Sequence, residues 1–233
     1  MTMLRSWLFT ILFVAWSIFA SVVQVPCLIT RRGALGGIRM WARGVLLLAR
    51  ITVGITFRAE GKENIPKGPC IIAAMHQSSF ETYKLFLEVD DPVFVLKREL
   101  IFIPVIGWYI LRAGLVPINR NAGAGAMRRM LRAADAAIAR GAQILIFPEG
   151  TRTGPGEQQP YKPGVVALYN HCKVPLVPMA LNSGYVWGKT RVRKVPGQIV
   201  FKYLPPIEEG LGKKALLAKL REQLEHAAAT LPR

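Results

Sequence analysis

Cys70-Ile71-Ile72-Ala73-Ala74-Met75-His76-Gln77-Ser78-Ser79-Phe80-Glu81 passes from an unbroken apolar run to a histidine and then to polar residues. The run Cys70–Met75 has the length and composition of a buried strand. Ser78 or Ser79 offers a cap for a helix that carries Glu81 in its first turn and continues through Tyr83, Leu85, Phe86 and Leu87. A histidine at a strand end and a carboxylate in the next helix's first turn can meet across the connecting turn. The carboxylate would accept a bond from one ring nitrogen and fix the tautomer, leaving the other nitrogen free to take a proton. The helix N-terminus favours the ionised carboxylate. Taken alone, the stretch fits a capping serine, a surface glutamate and a hydrogen-bonded histidine better than it fits catalysis.

A second strand-to-turn passage, Ile144-Leu145-Ile146-Phe147 followed by Pro148-Glu149-Gly150-Thr151-Arg152, strengthens the catalytic reading. Strand patterns at 70–75, 92–96, 114–118, 143–147, 174–181 and 198–203 alternate with helix patterns at 79–89, 126–140, 165–170 and 213–230. Such alternation predicts an α/β domain, a mostly parallel layered sheet flanked by helices, with its site at the carboxyl ends of the strands. Ile101 to Leu111 is apolar without a clear period; it is expected in the core, the alternative being the lining of an acyl-chain channel. The helix at 213–230 carries Leu216, Leu217, Leu220 and Leu224 along one side and is expected to cover the sheet.

Upstream of residue 60 the chain has a different character. Ser6 to Thr30 carries no charge and is flanked by Arg5, Arg31 and Arg32. Up to Val25 it predicts a helix of about 30 Å, near the thickness of a bilayer's hydrocarbon core. It is long for a signal peptide, rich in aromatics and without a clear small-x-small cleavage site. Gly36-Gly37 is expected to break the chain before a second helix, 38–57, on which Arg39, Arg43 and Arg50 fall within about 40° of one another. That stripe suits a helix in the membrane interface with its arginines at the headgroups; a charged face packed on the catalytic domain is the alternative. The first 59 residues hold seven arginines and no acid. Residues 1–58 are therefore expected to form a two-helix membrane-docking module and residues 59–233 the α/β domain, entered through the proline- and glycine-rich loop 61–69.

The 233-residue chain is 52% hydrophobic with a formal charge of +17. That combination points to an apolar membrane-facing part and a basic surface facing anions. Nucleic acid is not expected, because no RNA- or DNA-binding signature is present. Cys27, Cys70 and Cys172 form neither a disulfide framework nor a zinc pattern, and no metal site is expected.

Four blocks in order resemble the lysophospholipid acyltransferase family, in particular the 1-acylglycerol-3-phosphate acyltransferases. The family's His-x4-Asp motif is matched at His76, with Glu81 in place of aspartate. Phe-Pro-Glu-Gly-Thr-Arg is matched in full at Phe147–Arg152, and Gly114–Arg120 and Val177–Asn182 resemble two further blocks. The resemblance covers roughly residues 60 to 210 and implies a glycerol-phosphate-acyltransferase-like fold. It implies acyl transfer from a thioester, acyl-CoA or acyl carrier protein, to the sn-2 hydroxyl of lysophosphatidate, with membrane lipids as surroundings and no cofactor. His76 would be the general base and Glu81 its orienter. Lys97, Arg120 and Arg152 would bind phosphate, with Glu149, Gly150 and Thr151 shaping the turn beside the acceptor. Ser78 and Ser79 lack a Gly-x-Ser-x-Gly setting, so no acyl-serine is expected. Arginines near both N-terminal helices, together with where such thioester donors occur, lead to the expectation of the cytoplasmic face of a membrane. The alternatives are the same chemistry on another lysolipid, such as a lyso-aminolipid, and an inactive basic membrane-binding protein.

Overall fold

The runs of β-branched and aliphatic residues become strands, and a computed structural model describes them within residues 2–119, 123–189 and 192–233. The strands are β1 (Ile55–Glu60), β2 (Cys70–Ala74), β3 (Pro92–Lys97), β4 (Val116–Ile118), β5 (Gln143–Ile146), β6 (Leu176–Leu181) and β7 (Gly197–Tyr203). They form one sheet in the order β1-β7-β6-β2-β5-β3-β4. The run from β6 through β2, β5 and β3 to β4 is parallel, whereas β7 pairs antiparallel with β6 and parallel with β1. All five residues of β2 are buried, as expected of a central strand covered on both faces.

Alternate residues of β2 feed two cores. Cys70, Ile72 and Ala74 face an aromatic layer with Phe80, Phe94, Trp187 and Phe201; Ile71 and Ala73 face Met130, Leu168, Leu216 and Leu220. The first layer is covered by α1 (Thr2–Val23), α2 (Arg31–Val53), α3 (Phe80–Glu88) and α4 (Ile106–Arg112). The second is covered by α5 (Gly123–Ile138), α6 (Pro163–Cys172) and α8 (Lys213–Ala229). A one-turn helix, α7 (Ser183–Val186), follows β6.

The N-terminal helices differ from the expectation in three respects. The second begins at Arg31, where the Thr30 hydroxyl accepts the Gly33 N–H at 2.9 Å. Gly36-Gly37 lies inside it rather than breaking it, and a Cβ at Gly37 would stand 2.9 Å from the Tyr109 ring. The helix also stops at Val53, where Gly54 takes the left-handed conformation that favours glycine (φ 84°) and its N–H returns to Ala49 and Arg50. The following residues form β1, the sheet edge, so residue 58 falls within a strand. Of the arginine stripe, Arg43 and Arg50 are exposed. Arg39 instead donates to the Phe86 carbonyl at 2.9 Å and the Val89 carbonyl at 3.1 Å, capping the C-terminal end of α3. The packed alternative holds for that residue.

Segment 101–111, expected in the core, is divided. Tyr109 and Ile110 are buried, while Phe102, Ile106, Trp108 and Leu111 are half exposed or more. A tight 3₁₀ turn (Arg98–Phe102) leads into the short α4, and one side of the segment faces outward.

α1 is fastened at both ends. Near its start, the Ser6 hydroxyl donates to the Lys194 carbonyl at 3.0 Å and the Phe9 ring meets Trp187 edge-on. Just beyond its end, the Gln24 carbonyl accepts the Tyr109 hydroxyl. Between them Trp16 lies over Gly44 of α2 and donates to the Trp41 carbonyl at 2.9 Å. In an open helix, Gly→Ala stabilises by about 1 kcal/mol. At Gly44 the added Cβ would sit 2.2 Å from the Trp16 ring. Gly44→Ala is therefore expected to destabilise by about 1–3 kcal/mol, measured by thermal unfolding in detergent; a stabilised variant would show that Trp16 is not seated there.

Candidate active site

Because β6, β2, β5, β3 and β4 run parallel, their carboxyl ends share one edge, and the described part of each block noted in the sequence reaches it. His76 leaves β2 there. Its backbone is held by Thr153, whose N–H donates to the His76 carbonyl at 2.8 Å. Its ring lies flat on Phe147, centroids 4.0 Å apart and 14° between planes. Phe147 ends β5, so two separate blocks form a single wall.

The imidazole Nδ1 and Glu81 Oε1 are 2.9 Å apart. An ionised carboxylate only accepts, so Nδ1 carries the proton and Nε2 is left as the basic nitrogen. Glu81 is fully buried. Oε1 also accepts the N–H groups of Gln77 at 2.8 Å and Ser78 at 2.6 Å. Oε2 accepts the hydroxyls of Ser78 at 2.6 Å and Ser183 at 2.8 Å. Burial pushes the Glu81 carboxyl up; the bond and charge of His76 and the bonds from Ser78 outweigh it, and the net shift is below the ordinary glutamate value. The methylene that glutamate adds over aspartate does not spoil the contact with His76. It lets the second oxygen reach the turn between β6 and α7.

The cap of α3 is shared between the two candidate serines. Ser79 holds the capping position without a side-chain bond, and the Ser78 hydroxyl accepts the Phe80 N–H at 3.1 Å.

The turn after β5 is shaped by Gly150, at φ 69° with its N–H on the Phe147 carbonyl at 2.9 Å, a backbone that favours glycine. Its neighbour Glu149 is buried, and Oε2 has no hydrogen-bond partner among the described residues. Burial, with a further push from the Glu81 charge, raises its carboxyl to about 7. Two carboxylates at one site are thus driven apart, one toward ionised and one toward neutral. Thr151 is exposed and Arg152 partly exposed; neither Arg152 nor the exposed Lys97 at the end of β3 joins an ion pair among the described residues. Arg120 lies outside the described residues. No group of metal-ligating side chains is present among the described residues.

Ser183, Gln77 and Thr153 were not singled out by the sequence. Gln77 Oε1 accepts the Gly184 N–H at 2.9 Å and so ties the histidine turn to the same β6–α7 turn that brings Ser183. Only the placement of β6 beside β2 reveals these roles; a lone serine after a strand carries no signal.

A family model described as "Acyltransferase" matches residues 56–182. The chain is 35% identical over 189 residues to a 1-acyl-sn-glycerol-3-phosphate acyltransferase of Pseudomonas aeruginosa, covering 81% of this chain and 73% of the relative. It is 27% identical over 221 residues to the mouse 1-acyl-sn-glycerol-3-phosphate acyltransferase alpha, covering 93% and 77%. Its fold is similar to the crystal structure of a 1-acyl-sn-glycerophosphate acyltransferase from Thermotoga maritima, with TM-score 0.79, 22% identity, and 98% and 97% of the two chains covered.

Two outcomes are expected from this geometry. Ser183→Ala should lower kcat about tenfold with KM nearly unchanged, and Ser183→Thr should restore most of it, since the lost group is a hydroxyl on a charged acceptor; steady-state kinetics of the three proteins decide. Glu149 binds its proton more tightly folded than unfolded, so its contribution is present below about 4.5 and is lost as pH rises through about 7. Unfolding followed from pH 5 to pH 8.5 should show Glu149→Gln gaining on the parent by about 2.5 kcal/mol over that interval. A constant difference would mean that Glu149 ionises normally.

Proposed function

We propose, since this chain belongs to the acyltransferase family, that it transfers a fatty acyl group from a thioester to the sn-2 hydroxyl of 1-acylglycerol-3-phosphate, forming phosphatidate. The observation that carries this reading is the 2.9 Å contact of His76 Nδ1 with buried Glu81, which leaves Nε2 as base at the shared strand edge. The names of the relatives support the acceptor.

His76 Nε2 takes the proton of the sn-2 hydroxyl as that oxygen attacks the thioester carbonyl. The carbon–sulfur bond of the resulting adduct breaks, and the proton passes from His76 to the departing sulfur. The products are phosphatidate and a free thiol. General base catalysis of this kind contributes about 10²–10⁴-fold. Glu81 holds the tautomer and faces the imidazolium formed midway. Arg152, with Arg120 and Lys97, meets the acceptor phosphate, for which guanidinium is bidentate. Glu149, near neutral, offers a hydrogen bond to the acceptor's glycerol. The thioester, of coenzyme A or of a carrier protein, is a co-substrate, and no cofactor is needed.

The enzyme works on a membrane. α1 is long and apolar enough to cross one, yet it is fastened to the catalytic domain at both ends, which favours a helix lying along the interface with its outer face in lipid. The flanking arginines and the intracellular thioester donors favour the cytoplasmic face.

Acyl transfer by the purified protein in detergent, with lysophosphatidate set against lyso-aminolipid acceptors, tests the reading. Phosphatidate is expected from the parent and none above background from His76→Ala. Glu81→Gln should lose most activity and Glu81→Asp should keep a measurable part. Arg152→Ala should raise KM for lysophosphatidate about tenfold to a hundredfold, with Arg152→Lys in between. Transfer only to the other acceptor would keep the mechanism and replace the substrate; no transfer from either thioester would point to an inactive membrane-binding protein.

A further inference from the structure

The outward side of segment 98–111 belongs to neither the core nor the catalytic edge. Leu100, Phe102, Ile103, Ile106, Trp108 and Leu111 are all exposed, Phe102 to 70%. They are close together in the chain and cluster on one side of a short folded unit. Monomeric soluble proteins seldom leave an apolar patch of this kind uncovered.

Local geometry holds the patch outward. Val105 sits at φ 64° and ψ −52°, with the Ile106 N–H on the Pro104 carbonyl at 2.7 Å, which is a γ-turn. That backbone is costly for a β-branched residue and persists only where the surroundings impose it. Gly107 follows, so close to Ile101 that a Cβ would stand 1.9 Å from its carbonyl oxygen. A strained valine and an obligatory glycine thus fold the segment back on itself, keep Tyr109 and Ile110 inward, and turn the aromatic and aliphatic side chains out.

Two observations name the occupant. The patch is continuous with the lipid-facing side of α1: Arg112 donates to the Leu28 carbonyl at 2.8 Å and to that of Ile29, and Leu28, Trp108, Leu111 and Arg112 line a common cleft. Exposed Val25 and Ile29 bridge from there to exposed Val22 and Val23 of α1. The patch is also fringed by Lys97, Arg98 and Arg112, against a single acid, Glu99, between residues 97 and 119. An apolar surface edged by cations matches anionic headgroups above acyl chains.

We propose that segment 98–111 is a second membrane-inserting element, separate from the N-terminal helices, which seats the phosphate-binding end of β3 at the lipid surface. The proposal rests on the membrane-associated reading above. It gives the lysolipid a short route: its acyl chain stays in the bilayer while its headgroup rises past Lys97 toward His76.

The test uses the full chain and vesicles of phosphatidylcholine and phosphatidylglycerol whose acyl chains carry bromine, which quenches tryptophan at depth. Trp108→Phe should remove a distinct share of the quenching seen in the parent, and Trp16→Phe, whose ring is packed on α2, should not. Phe102→Asp/Trp108→Asp should partition about tenfold less into the vesicles. It should lose a similar factor on long-chain lysophosphatidate in vesicles, while keeping parental turnover of a short-chain, monomeric lysophosphatidate. That retained turnover also shows that the variant is folded. Unchanged quenching in Trp108→Phe, with the parent bound, would overturn the proposal and leave the N-terminal helices as the anchor. A parent that ignores vesicles altogether would overturn the wider membrane reading with it. A dimer in sedimentation that Phe102→Asp dissociates would reassign the patch to a second copy of the chain.

Discussion

A buried negative charge governs this molecule. Removing a carboxylate from water costs several kcal/mol, and only a full set of donors offsets it. Glu81 finds five: the imidazole, two backbone N–H groups and two hydroxyls. Four come from the turn that leaves β2. The fifth, Ser183, comes from the turn that leaves β6, in register with β2 at Ala74 and Met179. That adjacency in turn requires the crossover helices that bring β6 alongside β2. The sheet order and the catalytic base are therefore a single constraint seen at two scales. A shift of the β2–β6 register would leave Oε2 with the Ser78 hydroxyl alone.

Glu149 stands at the other extreme. It is nearly as buried as Glu81, but Oε2 has no donor among the described residues, and the Glu81 charge adds to the penalty of ionising it. The family blocks thus set two chemically identical groups side by side and give them opposite electrostatic fates by allotting the donors unequally. The same edge then offers an acceptor held toward its charged form and a carboxyl that gives or takes a proton near neutral pH.

What could be read in advance followed sequence distance. His76 and Glu81 are five residues apart, and a strand followed by a capped helix brings such residues together, so the pair was legible. So was the turn at Gly150, because its chemistry is local. Ser183 was not, since its partner lies 102 residues away and nothing in a serine announces a distant carboxylate. The helical wheel grouped Arg39, Arg43 and Arg50 correctly but could not say what faced each one; Arg39 found the end of α3, whereas Arg43 and Arg50 are exposed. β1 was missed because Gly54 looked like part of a helix until its left-handed backbone marked the stop. Segment 101–111 misled because apolar composition reports a wish to leave water, which protein and lipid satisfy equally well.

The bond between Ser6 and Lys194 spans 188 residues, and it bears on how the chain is made. At about 5–20 residues per second, the ribosome delivers Lys194 roughly 10 to 40 s after Ser6 has been synthesised. For rather more than half of that interval Tyr109 is not yet there to hold the far end of α1, and Trp187 arrives only near its close. Its near end is therefore fastened only once most of the chain has been made. In the meantime α2, made directly after it, is the partner available to its packed side, through Trp16, Trp41 and Gly44.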